Sequence, residues 1–505
     1  MNQIKAGAAL NYVIIALNTI VGLLYTPYML RCLGQSEYGL YSLVASIIAY
    51  LTLLDFGFGN AIIRYTAKLR AERKEREQWQ MFGLFMIVYI IIGIIALCLG
   101  LALYYNIDLL FGHTMAENDL INAKIMMILL TFNLAITFPL SIFGSIITAY
   151  ENFVFQKVVN LIRIVLCTFV LIFVLSLGYK AVALVVVQTI FNVLTLVLNL
   201  IYCKRKIGIK IIFGKFDLLF IKEIAIYSFW IFINAIMDRI YWGTGQFVLG
   251  AISGTISVAI FSVAILLQQM YMQFSTSIAS VMLPRVTVIV TQKYNDQDVS
   301  NLFIRTGRIQ CLMLSFILSG FIVFGQSFIK LWAGSDYTQS YLITLIFFIS
   351  LFIPLIQNIG ITILQARNQL RFRSVLYLII ATISLALQIM LAPKFGALGC
   401  AISIGASLII GQGIIMNIYY KKKQSIDIVL FWKEIYKISK IPLLYTLLGL
   451  IIIQLISMSS LPILLIGILL YSAIYIVSIW FWCMNDYERN LLYAPIHRMV
   501  NKLKF

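Results

Sequence analysis

The sequence predicts an all-α polytopic membrane protein of 14 transmembrane helices, arranged as two parallel-repeat six-helix bundles plus two C-terminal helices. Three observations carry that expectation. Of 505 residues, 62% are hydrophobic and 11% charged, against about 25% charged in a soluble domain. A soluble chain of this composition would have to wet a large apolar exterior, because folding never removes the whole surface from water. Next, apolar runs of the roughly 20 residues that cross a hydrocarbon core recur from end to end. They lack the period-2 alternation of lipid-facing strands. Finally, the basic residues gather in alternate loops.

The spans fall at about residues 8–30, 38–62, 80–104, 121–149, 155–176, 180–202, 225–249, 255–282, 302–325, 340–364, 373–392, 397–419, 440–457 and 461–484. The first run follows a single lysine, Lys5, exceeds a signal-peptide core in length and has no small-residue cleavage site behind it. It is expected to remain as a span. Even-numbered loops and both termini hold most of the 38 Lys and Arg residues, whereas odd-numbered loops hold Arg31, Lys180, Lys330 and Lys394. That asymmetry places both termini in the cytoplasm. The net charge of +19 is then topological, held against an anionic inner leaflet, and no nucleic-acid partner is expected. Two basic amphipathic linkers, Lys204–Glu223 and Lys421–Lys440, belong at the inner interface. The seven scattered cysteines have no C-x-x-C spacing and read as small apolar residues.

A duplication underlies the two bundles. One offset places Ala149–Phe155 on Ala366–Phe372 and, without a gap, Lys204–Lys206 on Lys421–Lys423. A nearly equal offset brings Leu33-Gly34 onto Leu249-Gly250 and Ser46 onto Ser262. Pro139 and Pro354 correspond as well, each able to kink its helix. Six spans separate the copies, so both insert in the same orientation. The expected domains are an N-terminal lobe (1–206), a cytoplasmic amphipathic linker (207–224) and a C-terminal lobe (225–423). A last segment (424–505) holds the second linker, spans 13 and 14 and a cytoplasmic tail.

Ionisable groups inside a span cost at least about 2.5–3.5 kcal/mol on insertion scales, so they face a cavity or a partner. Asp238 and Arg239 stand near the middle of span 7, pointing about 100° apart on the helix. They read as cavity residues or as a structural pair, with Asp238 also a candidate for gating or ion coupling. Arg163 lies about two turns into span 5, within snorkelling reach of the interface. Asp55 ends the apolar part of span 2, before Phe56-Gly57-Phe58-Gly59-Asn60, and is a candidate for gating or ion coupling. Arg64 follows at the inner mouth, and Lys124 snorkels near an outer end.

Catalysis finds no footing. The two histidines, His113 and His497, lack a nucleophile setting or metal-ligand spacing, so no catalytic or metal site is expected. No G-x-x-x-x-G-K-[ST] loop is present, which leaves ions, membrane potential or a substrate gradient as the energy source. No cofactor is expected beyond coupling to H+ or Na+.

Leu33-Gly-Gln-Ser-Glu-Tyr-Gly-Leu-Tyr-Ser42, with Leu53-Leu-Asp-Phe-Gly-Phe-Gly-Asn-Ala61 and Arg64-Tyr65, resembles the polysaccharide-export flippases (Wzx-type). These belong to the multidrug/oligosaccharidyl-lipid/polysaccharide (MOP) superfamily. The motifs cover about residues 1–70, and the rest agrees in pattern. The resemblance implies two six-helix lobes around a central polar cavity and two added helices. It implies alternating access that moves undecaprenyl-diphosphate-linked oligosaccharide repeat units to the outer leaflet of the bacterial inner membrane, for O-antigen, capsule or exopolysaccharide. Membrane lipids, a polysaccharide polymerase and glycosyltransferases are its implied partners.

Arginine suits diphosphate through its forked donors, which makes Arg163 and Arg239 candidate contacts, with Arg64 at the entrance. Tyr227, Trp230, Tyr241 and Trp242 could stack on sugars. Lipid II flippases of the superfamily carry arginines in their first span. Ile20–Met29 has none, and Asp55 stands where a basic residue is expected, so peptidoglycan precursor is disfavoured as cargo. An ion-coupled multidrug antiporter of the same fold is the alternative. A membrane glycosyl-transfer or polymerising enzyme would need a large catalytic outer loop that the loop lengths do not supply.

Overall fold

The computed structural model describes residues 3–214, 218–291, 296–367, 369–455, 458 and 460–490; His497 lies outside them, as do residues 215–217 of the first linker. Among the described residues there is no strand. The first half holds α1 (Gln3–Leu51), α2 (Phe58–Ala71), α3 (Glu75–Phe111), α4 (Glu117–Ala149), α5 (Phe153–Ser176) and α6 (Ala181–Tyr202). There follow α7 (Leu218–Thr291), α8 (Asp296–Trp332), α9 (Gln339–Ile356), α10 (Ile359–Ala366) and α11 (Arg371–Leu408). The chain closes with α12 (Met416–Lys423), α13 (Ile428–Leu455) and α14 (Leu461–Trp482).

Eleven helical segments among the described residues are long and apolar enough to cross a membrane. Three exceed one crossing: Leu10–Ala71, Ala235–Ala279 and Arg371–Lys423, of 62, 45 and 53 residues. At ~1.5 Å per residue even 45 residues would reach ~68 Å, over twice the ~30 Å hydrocarbon thickness. Each contains a glycine corner with non-helical backbone: Gly34 (φ 75, ψ 175), Gly254 (φ 80, ψ −179) and Gly396 (φ 55, ψ −134). Only a residue without Cβ takes such angles cheaply. All three corners fall in gaps between the spans read from sequence. Pro139 lies inside α4, which runs on unbroken to Ala149, whereas α9 ends two residues after Pro354 and α10 restarts at Ile359.

The outward-facing residues are those of a membrane protein. Leu443, Leu447 and Leu455 of α13 and Leu469 of α14 are 61–80% exposed, a surface that water would not tolerate and lipid does. The first linker behaves differently from the second. Residues 203–207 make one π-helical turn, Gly208 takes φ 74, and residues 209–214 carry no regular structure. This stretch packs on the start of α3: the Ile212 amide donates to the Trp79 carbonyl (3.2 Å), and Lys210 lies over the Trp79 ring. Gly83 makes room, since a Cβ there would stand 2.2 Å from the Ile212 oxygen. In the second linker, by contrast, α13 starts at Ile428 and runs without a break to Leu455.

The chain divides into two compact units, residues 1–262 with 392–397, and residues 263–391 with 398–505. Within the first, α4 packs on α3 and α6, and α1 on α5. Within the second, α8 is the hub for α9, α13 and α14. Val323, Phe324 and Leu464 form a dry cluster there, joined by Ile453 and Tyr471. At one end of that hub, buried Arg308 of α8 is fully paired. Its Nε and Nη2 donate to the two carboxylate oxygens of Glu488 (2.7 and 3.1 Å), Nη1 donates to Glu434 (2.6 Å), and Nη2 also reaches the Cys483 carbonyl (3.1 Å). This fork ties both C-terminal helices to α8. All seven cysteines are free thiols.

Candidate functional site

The helix that carries the sequence motif is discontinuous. After α1 ends at Leu51, Thr52–Asp55 tightens into a 3-10 turn, and Phe56 (φ 50) and Gly57 (φ 73) both turn left-handed before α2 begins. A phenylalanine at positive φ costs about 1–2 kcal/mol, so its surroundings must hold it. They do so through a hydrogen bond from the Tyr89 hydroxyl to Asp55 Oδ1 (2.7 Å) and through ring contacts of Phe56 with Phe232 (4.5 Å) and Phe58 (5.9 Å). Tyr89 is fully buried and stacks beside Phe138. Non-helical backbone at membrane depth is tolerated where it is buried in protein or lines a cavity. Asp55 thus lies at the unwound middle of the segment between Gly34 and Ala71, not at the end of a span.

The α7 turn that carries Asp238 and Arg239 packs beside this break. Tyr50 bonds Thr244 Oγ1 (2.7 Å) and donates to the Arg239 carbonyl (3.4 Å). Gly243 allows the approach, because a Cβ would stand 3.3 Å from both the Tyr50 hydroxyl and Arg239 Cδ. Asp238 is exposed and Arg239 half-buried. The Arg239 guanidinium makes no hydrogen bond or ion pair among the described residues, and the same is true of half-buried Arg163 on α5. Arg308, with every donor group satisfied, shows how this chain settles an arginine that is only structural.

The other expected residues are dispersed. Arg64 is exposed on α2 with its guanidinium 5.7 Å from the Tyr65 ring. Lys124 pairs with Asp108 (2.6 Å). Tyr241 is fully buried against Trp242, which makes it a packing residue and removes it as a sugar platform. The side chains of Tyr227 and Trp230 lie outside the described residues.

Uncharged polar groups escaped the sequence reading. Tyr41 and Gln188 exchange hydrogen bonds (3.1 and 2.8 Å), joining α1 to α6. One turn along α6, Asn192 donates to Asn133 and Thr137 of α4 (2.8 Å each). The legible signal was spacing: Gln188 and Asn192 on one apolar helix, Asn133 and Thr137 on another, are both i, i+4 pairs. With Asp55, Tyr89, Tyr50 and Thr244 they give the first unit polar groups along the inner sides of its helices.

The Gln35-Ser36-Glu37-Tyr38-Gly39 segment begins the helix after the Gly34 corner. Ser36 donates to Asp119 (2.9 Å) and meets Thr255 Oγ1 (3.0 Å), and Thr114 donates to the Gly250 carbonyl (2.8 Å). A Cβ on Gly39 would lie 1.9 Å from the Thr255 carbonyl oxygen, so this helix start and the Gly254 corner touch backbone to backbone. Glu37 is buried, accepts from Asn122 (3.4 Å) and has Lys180 at 3.9 Å.

Lipid-length helices, outward-facing leucines and polar groups paired between helices define a multi-pass membrane protein. The chain belongs to the family described as polysaccharide biosynthesis protein, whose model matches residues 4–290. The structure is similar to a lipid II flippase, MurJ, in an inward closed conformation: 18% identity, TM-score 0.70, covering 94% of this chain and 98% of that one. It is also similar to an inward-facing multidrug resistance MATE transporter of the MOP superfamily: 14% identity, TM-score 0.61, 80% and 99% covered. A MATE protein in complex with MaL6 follows at 14% identity and TM-score 0.57, with 84% and 97% covered. At these identities the likeness is one of fold, the fold of MOP-superfamily transporters. No curated protein matches the sequence.

Proposed function

We propose that this chain is a flippase that carries undecaprenyl-diphosphate-linked oligosaccharide repeat units from the inner to the outer leaflet of the bacterial inner membrane, for surface-polysaccharide assembly. The observation that carries this reading is the state of Arg163 and Arg239: two half-buried arginines within membrane-length helices, with no ion pair among the described residues. An uncompensated charge there costs several kcal/mol unless water or an anion meets it. A diphosphate offers the bidentate oxygens that such forks bind best. Family membership supplies the polysaccharide context.

The reading has an architecture. Dividing the three long segments at Gly34, Gly254 and Gly396 turns eleven helical segments into fourteen spans with both termini cytoplasmic. Gly34 and Gly254 adopt nearly the same angles, and positive φ recurs at Gly178 and Gly396, which supports a parallel repeat of six spans. The lobes 1–206 and 225–423, joined by residues 207–224 and followed by 424–505, then alternate access. The Ser36–Thr255 contact closes the outer side, and Asp55, held by Tyr89 at an unwound turn, is the coupling residue for H+ or Na+. Polymerase and glycosyltransferases act downstream and upstream of the flipped lipid.

Complementation tests the reading. Deleting the gene should abolish surface polysaccharide, and Arg239→Ala at normal abundance should fail to restore it. Full export by that variant would remove Arg239 from the cargo path. Drug sensitivity without polysaccharide loss in the deletion strain would instead favour the antiporter.

A further inference from the structure

A groove of about 580 Å³ runs along the junction of α12 and α13. Lys421 and Lys433 stand on its walls with Trp432 and Tyr436, and Ile418 and Val429 complete an apolar side. Both lysines are exposed and make no ion pair among the described residues. Their neighbours are committed elsewhere: Lys437 bonds Glu434 (2.5 Å), and Lys440 lies 5.2 Å from the centre of the Tyr436 ring.

The aromatic wall is held in place. Trp432 Nε1 donates to Asn417 Oδ1 (3.0 Å), and Asn417 exchanges hydrogen bonds with buried Gln357 (2.8 and 3.2 Å). The indole is therefore pinned by its polar edge, and it lines the groove beside the lysines. Polarity then falls along one helix face. Val429, Lys433, Tyr436, Lys440, Leu443 and Leu447 follow one another at spacings of three or four residues on α13, so they form one stripe. The stripe begins at Val429, carries Lys433, Tyr436 and Lys440 over its first part, and ends on leucines that are 61–62% exposed. A soluble anion would use only the first part of that face. An amphiphile with an anionic head uses all of it.

We propose that this groove is a binding site for an anionic glycerophospholipid of the inner leaflet. Its phosphate sits between Lys421 and Lys433, its glycerol region against Trp432 and Tyr436, and an acyl chain along Leu443 and Leu447. The lipid is a resident of the bilayer and not the cargo. The cytoplasmic placement of this end rests on the topology proposed above; the lipid contact itself does not require transport.

Native mass spectrometry of the full-length protein, titrated with phosphatidylglycerol or with phosphatidylcholine of the same acyl chains, tests the site. Phosphatidylglycerol should bind about tenfold more strongly than phosphatidylcholine. Lys421→Gln/Lys433→Gln should abolish that preference, whereas Lys422→Gln/Lys423→Gln, on the same helix end but outside the groove, should keep it. Equal loss in both double variants would mean diffuse attraction and would overturn the site. So would displacement of bound phosphatidylglycerol by millimolar glycerol phosphate, which would make it a site for free phosphate. Displacement by equimolar undecaprenyl phosphate would reassign the groove to the cargo and overturn the proposal as well. A protein that binds phosphatidylglycerol as expected but moves no oligosaccharide lipid would sink the flippase reading alone.

Discussion

Arginines 239 and 308 make opposite predictions. Arg308→Ala removes the hydrogen bonds to Glu488, Glu434 and the Cys483 carbonyl, and it leaves Glu488, 3% exposed, as a buried carboxylate without its cation. Breaking a buried pair from one side costs about 3–5 kcal/mol. That is roughly two to three and a half orders of magnitude in the folding equilibrium. Arg239→Ala breaks no hydrogen bond or ion pair of the guanidinium among the described residues, so its effect should stay within about 0.5 kcal/mol. Equilibrium unfolding of both variants in mixed micelles, with rising dodecyl sulfate and tryptophan fluorescence as readout, separates them. Arg308→Lys should be intermediate, because an ammonium cannot reproduce the fork. Replacing Arg308 and Glu488 together by methionine should recover most of the loss, since no buried charge is then left alone. If Arg308→Ala is no more destabilising than Arg239→Ala, the division between structural and cargo-facing arginines is wrong.

Other expectations concern the break and the Gly34 corner. Tyr89→Phe removes the hydrogen bond to Asp55 and should cost about 0.5–1.5 kcal/mol in the same unfolding assay; a neutral result would mean that Asp55 is solvated by other groups. Gly39→Ala sets a Cβ 1.9 Å from the Thr255 carbonyl and should destabilise by about 1–3 kcal/mol. Gly178→Ala, with nothing within 4 Å of the new Cβ, should carry only the cost of positive φ, about 1–2 kcal/mol. Ser36→Cys/Thr255→Cys, built on oxygens 3.0 Å apart, should crosslink on oxidation and stop export, with recovery on reduction. Undiminished export by the crosslinked protein would rule out movement at this corner.

Much of the fold was legible because lipid imposes a simple grammar. Helices of membrane length must be apolar, and their corners need residues that tolerate unusual backbone, so Gly34, Gly254 and Gly396 fall in the gaps between the apolar runs. The site was legible in part. Asp55, Arg163 and Arg239 stood out because charge is expensive in a span, but their surroundings did not. The break at Phe56 depends on Tyr89 and Phe232, contributed by other helices. Arg308 did not stand out at all, because its partners Glu434 and Glu488 are 126 and 180 residues away. Gln188 and Asn192 carry no charge, and only their spacing hinted that they share a face.

The central claim is that Arg163 and Arg239, half-buried and with no ion pair among the described residues, await the diphosphate of a lipid-linked sugar. A leaflet-translocation assay addresses it: the purified protein in vesicles, with fluorescent undecaprenyl-diphosphate-linked oligosaccharide in one leaflet and a membrane-impermeant quencher outside. The account predicts protein-dependent exchange between leaflets that falls at least tenfold in both Arg163→Ala and Arg239→Ala while both variants remain folded. Exchange at the wild-type rate in the Arg163→Ala/Arg239→Ala double variant would contradict it.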